Sequence, residues 1–120
     1  MNIGKVGRSG EDRVAFFLNK NGFTVIKRNY QCRFGEIDII AQNEKYIIFV
    51  EVKTRKENAF VSPAEAVTGI KQQRIMLTAQ DYISKTECEL QPRFDVAEVT
   101  VTQKANGSVG YNLNYIENAF

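Results

Sequence analysis

The chain lacks histidine and tryptophan, has only two cysteines and two prolines among its 120 residues, and contains no long hydrophobic run. Each shortage excludes something. Without imidazole there is no Ser-His-Asp triad, no Cys-His protease, no histidine zinc site and no HNH-type nuclease. Acid–base or metal chemistry must use carboxylates, lysine, tyrosine or water. Cys32 and Cys88 make neither a disulfide framework nor a four-thiolate zinc site, and they read as reduced thiols of a cytoplasmic protein. No apolar run is longer than Tyr46–Val50, far short of the roughly 20 residues that cross a bilayer. The start, Met1 to Gly10, is polar and basic, without the apolar segment of a secretory signal. The expected location is the cytoplasm, away from any membrane.

A hydrophobic fraction of 43% beside 25% charged residues suits one globular domain over residues 1–120. The net charge of +2 conceals a division. From Met1 to Gly35 there are seven basic residues against two acidic ones; the remainder has nine basic against twelve acidic. A basic N-terminal third fits a surface facing a polyanion. It fits equally a solvated helix face followed by a hairpin.

Apolar spacing predicts a helix from about Lys5 to Lys20, with Val14, Ala15, Phe17 and Leu18 inward. Asn21-Gly22 ends it. Phe23–Tyr30 reads as a strand with Phe23, Val25 and Lys27 on one side, and Glu36–Ala41 as a second strand. Tyr46–Thr54 is the third, its unbroken Tyr-Ile-Ile-Phe-Val run marking a central strand covered on both faces. Ser62-Pro63-Ala64-Glu65 combines an N-cap, a first-turn proline and a capping box. A helical pattern continues from there to about Ser84, with Gly69 as a point where it can split. Arg93–Thr102 and Val109–Ile116 are strands joined through the tight-turn pair Asn106-Gly107. The order α-β-β-β-α-β-β implies a mixed sheet flanked by helices.

Chemistry concentrates between residues 35 and 55. Strand alternation sets Asp38 on the side of Glu36 and Ile40, and Glu51 with Lys53 on one side of the next strand. Charges inside an apolar strand are costly unless paired or bound to metal. Asp38 and Glu51 on neighbouring strands could hold Mg²⁺, which takes oxygen ligands and keeps waters for substrate. A lysine one pleat further on can orient a water or hold a phosphate. The plainer alternative is a cross-strand ion pair of Glu51 and Lys53, with Asp38 a strand-end residue.

These segments resemble a known family. Gly7-Arg8-Ser9-Gly10-Glu11, Arg28-Asn29-Tyr30, Gly35-Glu36-Ile37-Asp38-Ile39-Ile40, Phe49-Val50-Glu51-Val52-Lys53-Thr54-Arg55, Pro63 with Ala66, Val67 and Lys71, and Arg93-Phe94-Asp95-Val96 are similar to the YraN family of small bacterial proteins. That family is regarded as a relative of archaeal Holliday-junction resolvases in the PD-(D/E)XK nuclease superfamily. The resemblance implies a restriction-endonuclease-like α/β fold and a metal-dependent endonuclease acting on DNA, with branched or junction DNA as a candidate substrate. It implies Mg²⁺ (or Mn²⁺) on Asp38 and Glu51, Lys53 as the catalytic lysine, and Glu11 completing the site. Glu11 shares a stripe with Val14, Ala15 and Leu18, which turns it toward the sheet; the alternative is a first-turn acid favoured by the helix dipole. Ile37 stands where the superfamily's name has proline. Glu36 is either a further ligand or an edge residue.

Arg8, Arg13, Arg28, Arg33, Arg55, Lys71, Gln72 and Arg74 are candidate nucleic-acid contacts that position a backbone without reading its sequence. The last three could equally be a solvated helix face. Tyr30 and Phe34 either stack on bases or pack in the core. A two-fold substrate would be served by a homodimer carrying two sites. From a different class, the same fold could serve a nucleic-acid-binding or adaptor protein without useful catalysis.

Overall fold

A computed structural model describes residues 3–57 and 68–120, with side chains from Ser9 onward. The described residues form seven elements: α1 (Ile3–Lys20), β1 (Thr24–Cys32), β2 (Gly35–Gln42), β3 (Tyr46–Lys56), α2 (Gly69–Thr86), β4 (Gln91–Gln103) and β5 (Val109–Ile116). The Ser62-Pro63-Ala64-Glu65 helix start, Ala66 and Val67, and the side chain of Arg8 lie outside the described residues. Within them, α2 begins at Gly69 and is capped by Thr68, whose hydroxyl accepts from the Lys71 N–H at 3.3 Å.

The strands form one sheet in the order β1-β2-β3-β4-β5. Only β3 and β4 run parallel; the other neighbours are antiparallel. A parallel pair needs a crossover, and α2 lies in the connection between them. The apolar run of β3 dictates its central place: Ile47, Ile48, Phe49 and Val50 are all buried, and they alternate between two cores. On one face α1 sends Val14 and Leu18 against Ile39, Ala41, Ile48, Val50, Ala97 and Val99. On the other, α2 sends Ile75 and Ala79 against Ile37, Ile40, Ile47 and Phe49.

Two local departures from simple alternation matter. In β1 the register shifts between Val25 and Lys27, so the expected Phe23-Val25-Lys27 row is broken by a bulge. In β2, Ile37 and Ile40 belong to the α2-side core whereas Ile39 and Ala41 belong to the α1-side core. Alternation therefore slips once around Asp38, and Asp38 is not simply on the side of Ile40. Asn29, which faces this point in the β1–β2 register, has φ 52°. Asparagine is among the few residues that enter the left-handed region readily.

Candidate metal and nucleic-acid site

The β2–β3 ladder ends at the pair Ile39↔Val50. The next residues in register are Asp38 and Glu51, so the two acids stand where the strands part. The freed Val52 N–H finds a new acceptor: it donates to Asp38 Oδ2 at 2.8 Å. The proposed carboxylate thus replaces a ladder carbonyl.

Burial pushes the Asp38 carboxyl up from 3.8 to about 7; Glu51, Glu11 and Glu36 add to the rise and the Val52 N–H opposes it. Glu51 is held from two elements. Lys53 Nζ, on the same strand, and Lys71 Nζ, from the first turn of α2, each lie 3.2 Å from Glu51 Oε1. The expected alternative of a cross-strand Glu51–Lys53 pair is therefore replaced by an ion pair along one strand, joined by a helix lysine. Burial lowers the Lys53 ammonium, and the neighbouring Lys71 lowers it further. Glu51 and Lys71 line a cavity of about 320 Å³ with Gly35, Glu36, Thr68 and Arg74.

Glu11 reaches the site by a close approach of backbone. Gly10 is buried, and a Cβ there would lie 2.4 Å from Thr54 Oγ1. The absent side chain lets α1 rest on β3 beside the parting strands. Glu11 lies well inside α1, whose first turn has no acid, which removes the helix-dipole alternative. Its Oε1 is buried without a hydrogen-bond partner, 3.8 Å from Arg28 Nη2. Burial raises the Glu11 carboxyl, with Arg28 working against the rise. Among the described residues no group of three or more Cys, Asp or Glu side chains is gathered closely enough to hold a metal. Asp38 and Glu51 are brought together; Glu11 stands further off.

The basic candidates divide. Lys71, Gln72 and Arg74 lie in the first two turns of α2, and Arg74 borders both the Glu51 cavity and a second groove along the β1–β2 hairpin. Arg33 is exposed in that groove, its guanidinium 4.7 Å from the Phe34 ring centre. Arg55 is half-buried on β3, two residues past Lys53. Arg28 is engaged instead with α1, 2.8 Å from Asp12. Arg13 lies apart, its guanidinium 3.7 Å over Tyr111 in a groove between α1 and β5. Glu36 accepts from Gln31 at 3.2 Å across the exposed hairpin. Tyr30 is structural: its hydroxyl donates to Asp81 and its ring meets Tyr82 edge-on.

A polar cluster on the α1 face is built on Arg93 and Asp95, residues of the Arg93-Phe94-Asp95-Val96 segment to which sequence reading assigns no role. Asp95, fully buried, accepts three bonds from Arg93, one from Tyr115 Oη at 2.6 Å and one from the Asn118 N–H. Arg93 sits between the Phe23 and Tyr46 rings. Besides that segment, the local signal is an Arg-x-Asp alternation inside an apolar strand.

Comparison with solved structures gives the fold a relative. A Holliday junction resolvase, Hjc of Archaeoglobus fulgidus, matches with a TM-score of 0.51 and 18% identity, over 92% of this chain and 71% of that one. The expected mixed sheet and element order are those of this nuclease fold. Among sequences, a UPF0102 protein of Clostridium acetobutylicum is 44% identical over 97% of this chain and 93% of its own length. UPF0102 proteins of Caldicellulosiruptor bescii and Dictyoglomus thermophilum are each 42% identical over the whole of both chains. The model of the uncharacterised protein family UPF0102 matches residues 10–99. That span takes in Gly10, Glu11, Asp38, Glu51, Lys53 and Lys71, and the chain belongs to UPF0102, the YraN family.

Proposed function

We propose that the protein is a metal-dependent endonuclease that hydrolyses phosphodiester bonds in DNA, with branched DNA as the favoured substrate class. The observation that carries the reading is the meeting of Asp38, Glu51 and Lys53 where β2 and β3 part. A fold that keeps two carboxylates together where its strands part, one with its carboxyl raised to about 7, bears a cost that core packing does not require. The resolvase likeness of the fold supports the same reading.

The donor set fits a hard divalent cation. It is all oxygen, it contains two neighbouring acids, and further off the buried Glu11 Oε1 lacks a hydrogen-bond partner. Asp38 and Glu51 would hold Mg²⁺ or Mn²⁺, and Glu11 would add negative charge from α1. When bound, such an ion supplies charge stabilisation at the phosphate and a more acidic water. Every other task falls to the chain. The Val52 N–H fixes the Asp38 carboxylate. Lys53 Nζ, held at Glu51, orients the attacking water. Arg74 and Arg33 line the groove away from the cavity and engage the backbone on one side of the cut bond.

The test is a cleavage panel of junction, flap, duplex, single-stranded DNA and RNA, with Mg²⁺ or Mn²⁺, for wild type, Asp38→Ala and Lys53→Ala. Wild type is expected to cut at least one DNA with metal, and both variants to lose about 10²-fold or more. Equal cleavage by all three purified proteins would remove the assignment. Metal-independent binding without cleavage would favour the adaptor reading.

A further inference from the structure

Lys71 is in a position that helix formation does not favour. It occupies the first turn of α2, where the helix dipole disfavours a cation, and that turn carries no acid. Its ammonium shares one carboxylate oxygen with the ammonium of Lys53, which sets two like charges side by side. Lys53 already pairs with Glu51, and Lys71 joins it from a second element, drawn by the charge of Glu51 and Asp38 together. Lys71 is also the more accessible of the two, 38% exposed against 18% for Lys53, and it lines the cavity mouth. An ammonium has three donors, and the Glu51 contact takes up one. Local preferences that conflict at a cleft are the usual mark of a functional demand.

We infer that Lys71 is a second catalytic lysine, which contacts a non-bridging oxygen of the scissile phosphate while Lys53 attends the attacking water. This rests on the hydrolytic reading above and deepens it. In the step, the bond from the water oxygen to phosphorus forms and the bond from phosphorus to the leaving oxygen breaks. The proton lost by the attacking water passes to solvent, and the leaving oxygen takes one from solvent. Lys71 keeps its proton throughout and acts by charge. The excess negative charge of the transition state strengthens this contact over that in the bound substrate, so its effect falls on rate more than on affinity.

Two measurements test it. The first is single-turnover cleavage at saturating DNA, with the dissociation constant measured beside it, for wild type, Lys71→Met and Lys71→Arg. Lys71→Met is expected to cut about 10²-fold more slowly with affinity within about 3-fold, and Lys71→Arg to recover much of the rate. A loss confined to affinity, or an unchanged rate, overturns the inference. The second does not need cleavage: the Lys71 side-chain NMR signal, identified by its loss in Lys71→Met, is followed as a short oligothymidylate is added. A shift supports the phosphate contact, and a signal unmoved at saturation overturns it. If wild type cuts nothing yet the signal shifts, the phosphate contact stands and the hydrolytic reading falls. Full-rate cleavage by Lys71→Met with an unmoved signal does the reverse.

Discussion

Asp38 answers to two opposed demands. As an acceptor for the Val52 N–H it closes a gap left where two strands separate. As a buried acid beside Glu51 it ionises only at a cost. Its carboxyl is raised from 3.8 to about 7 on folding, so between roughly these values the folded state binds more protons than the unfolded one. Stability from this group is therefore greatest below pH 4, falls as pH rises, and reaches its lowest level above pH 7. Asp38→Asn keeps an amide oxygen for Val52 and removes the charge. Without metal at pH 8 it is expected to be more stable than wild type by on the order of 2–4 kcal/mol, with the gain fading toward pH 4. Urea unfolding of both proteins across that range measures it, and a less stable variant at pH 8 would sink the argument. Mg²⁺ should raise the urea midpoint of wild type and leave that of Asp38→Asn nearly fixed, since a ligand that binds only the folded protein stabilises it. Equal midpoint shifts in the two proteins would place the ion elsewhere.

Elements meet at Gly10 in a way that makes a single methyl group decisive. A Cβ there would lie 2.4 Å from Thr54 Oγ1. Alanine gains about 1 kcal/mol of helix propensity over glycine, whereas overpacking a close contact costs about 1–3 kcal/mol. Gly10→Ala is thus expected to destabilise the protein by about 1 kcal/mol and to move Glu11 away from the parting strands. In a Thr54→Ala background the obstructing hydroxyl is gone, and the same change should become neutral or stabilising. A double-mutant cycle by thermal or urea unfolding checks the sign; additive effects would mean that the two residues do not press on each other. This contact also marks how far the sequence was legible. The apolar run of β3, the helical stripe of α1 and the Asn106-Gly107 turn are local signals, and each element follows from them. The pairing of Asp38 with Glu51 was readable too, because one hairpin sets it. The slip in alternation at Asp38 was not, since it depends on the bulged β1 beside it and on Asn29 in a left-handed conformation. Nor was the reach of Lys71 to Glu51, which α2 makes from a crossover whose path no local pattern determines.

Across the whole molecule, the two faces of the sheet treat buried carboxylates in opposite ways. Glu51 lines an opening, and Asp38, next to it in the register, is crowded by like charge. Asp95, on β4 against the α1 side, receives bonds from Arg93, Tyr115 and Asn118 and is closed off from solvent. That network ties β4 to the β5 strand and to the chain that follows it, while Arg93 reaches the aromatic rings of Phe23 and Tyr46 at the far side of the core. Burial, with the bond to Asp95, pushes the Tyr115 hydroxyl up, so its proton stays in place throughout the range in which proteins fold. Asp95→Ala would leave the Arg93 guanidinium, 9% exposed, without its main partner. Breaking one side of a buried pair costs about 3–5 kcal/mol, which is a large part of a domain's usual stability of about 5–15 kcal/mol. Asp95→Ala is therefore expected to be strongly destabilised at every pH from 6 to 9, in contrast to the pH-dependent gain of Asp38→Asn. Because Asp95 lies away from the Glu51 cavity, any folded fraction of Asp95→Ala should bind oligonucleotide with wild-type affinity. Chemical unfolding and fluorescence anisotropy on the same preparations separate the two roles. A stable Asp95→Ala that had lost nucleic-acid binding would make Asp95 part of the site, and the division of labour between the two faces would fail.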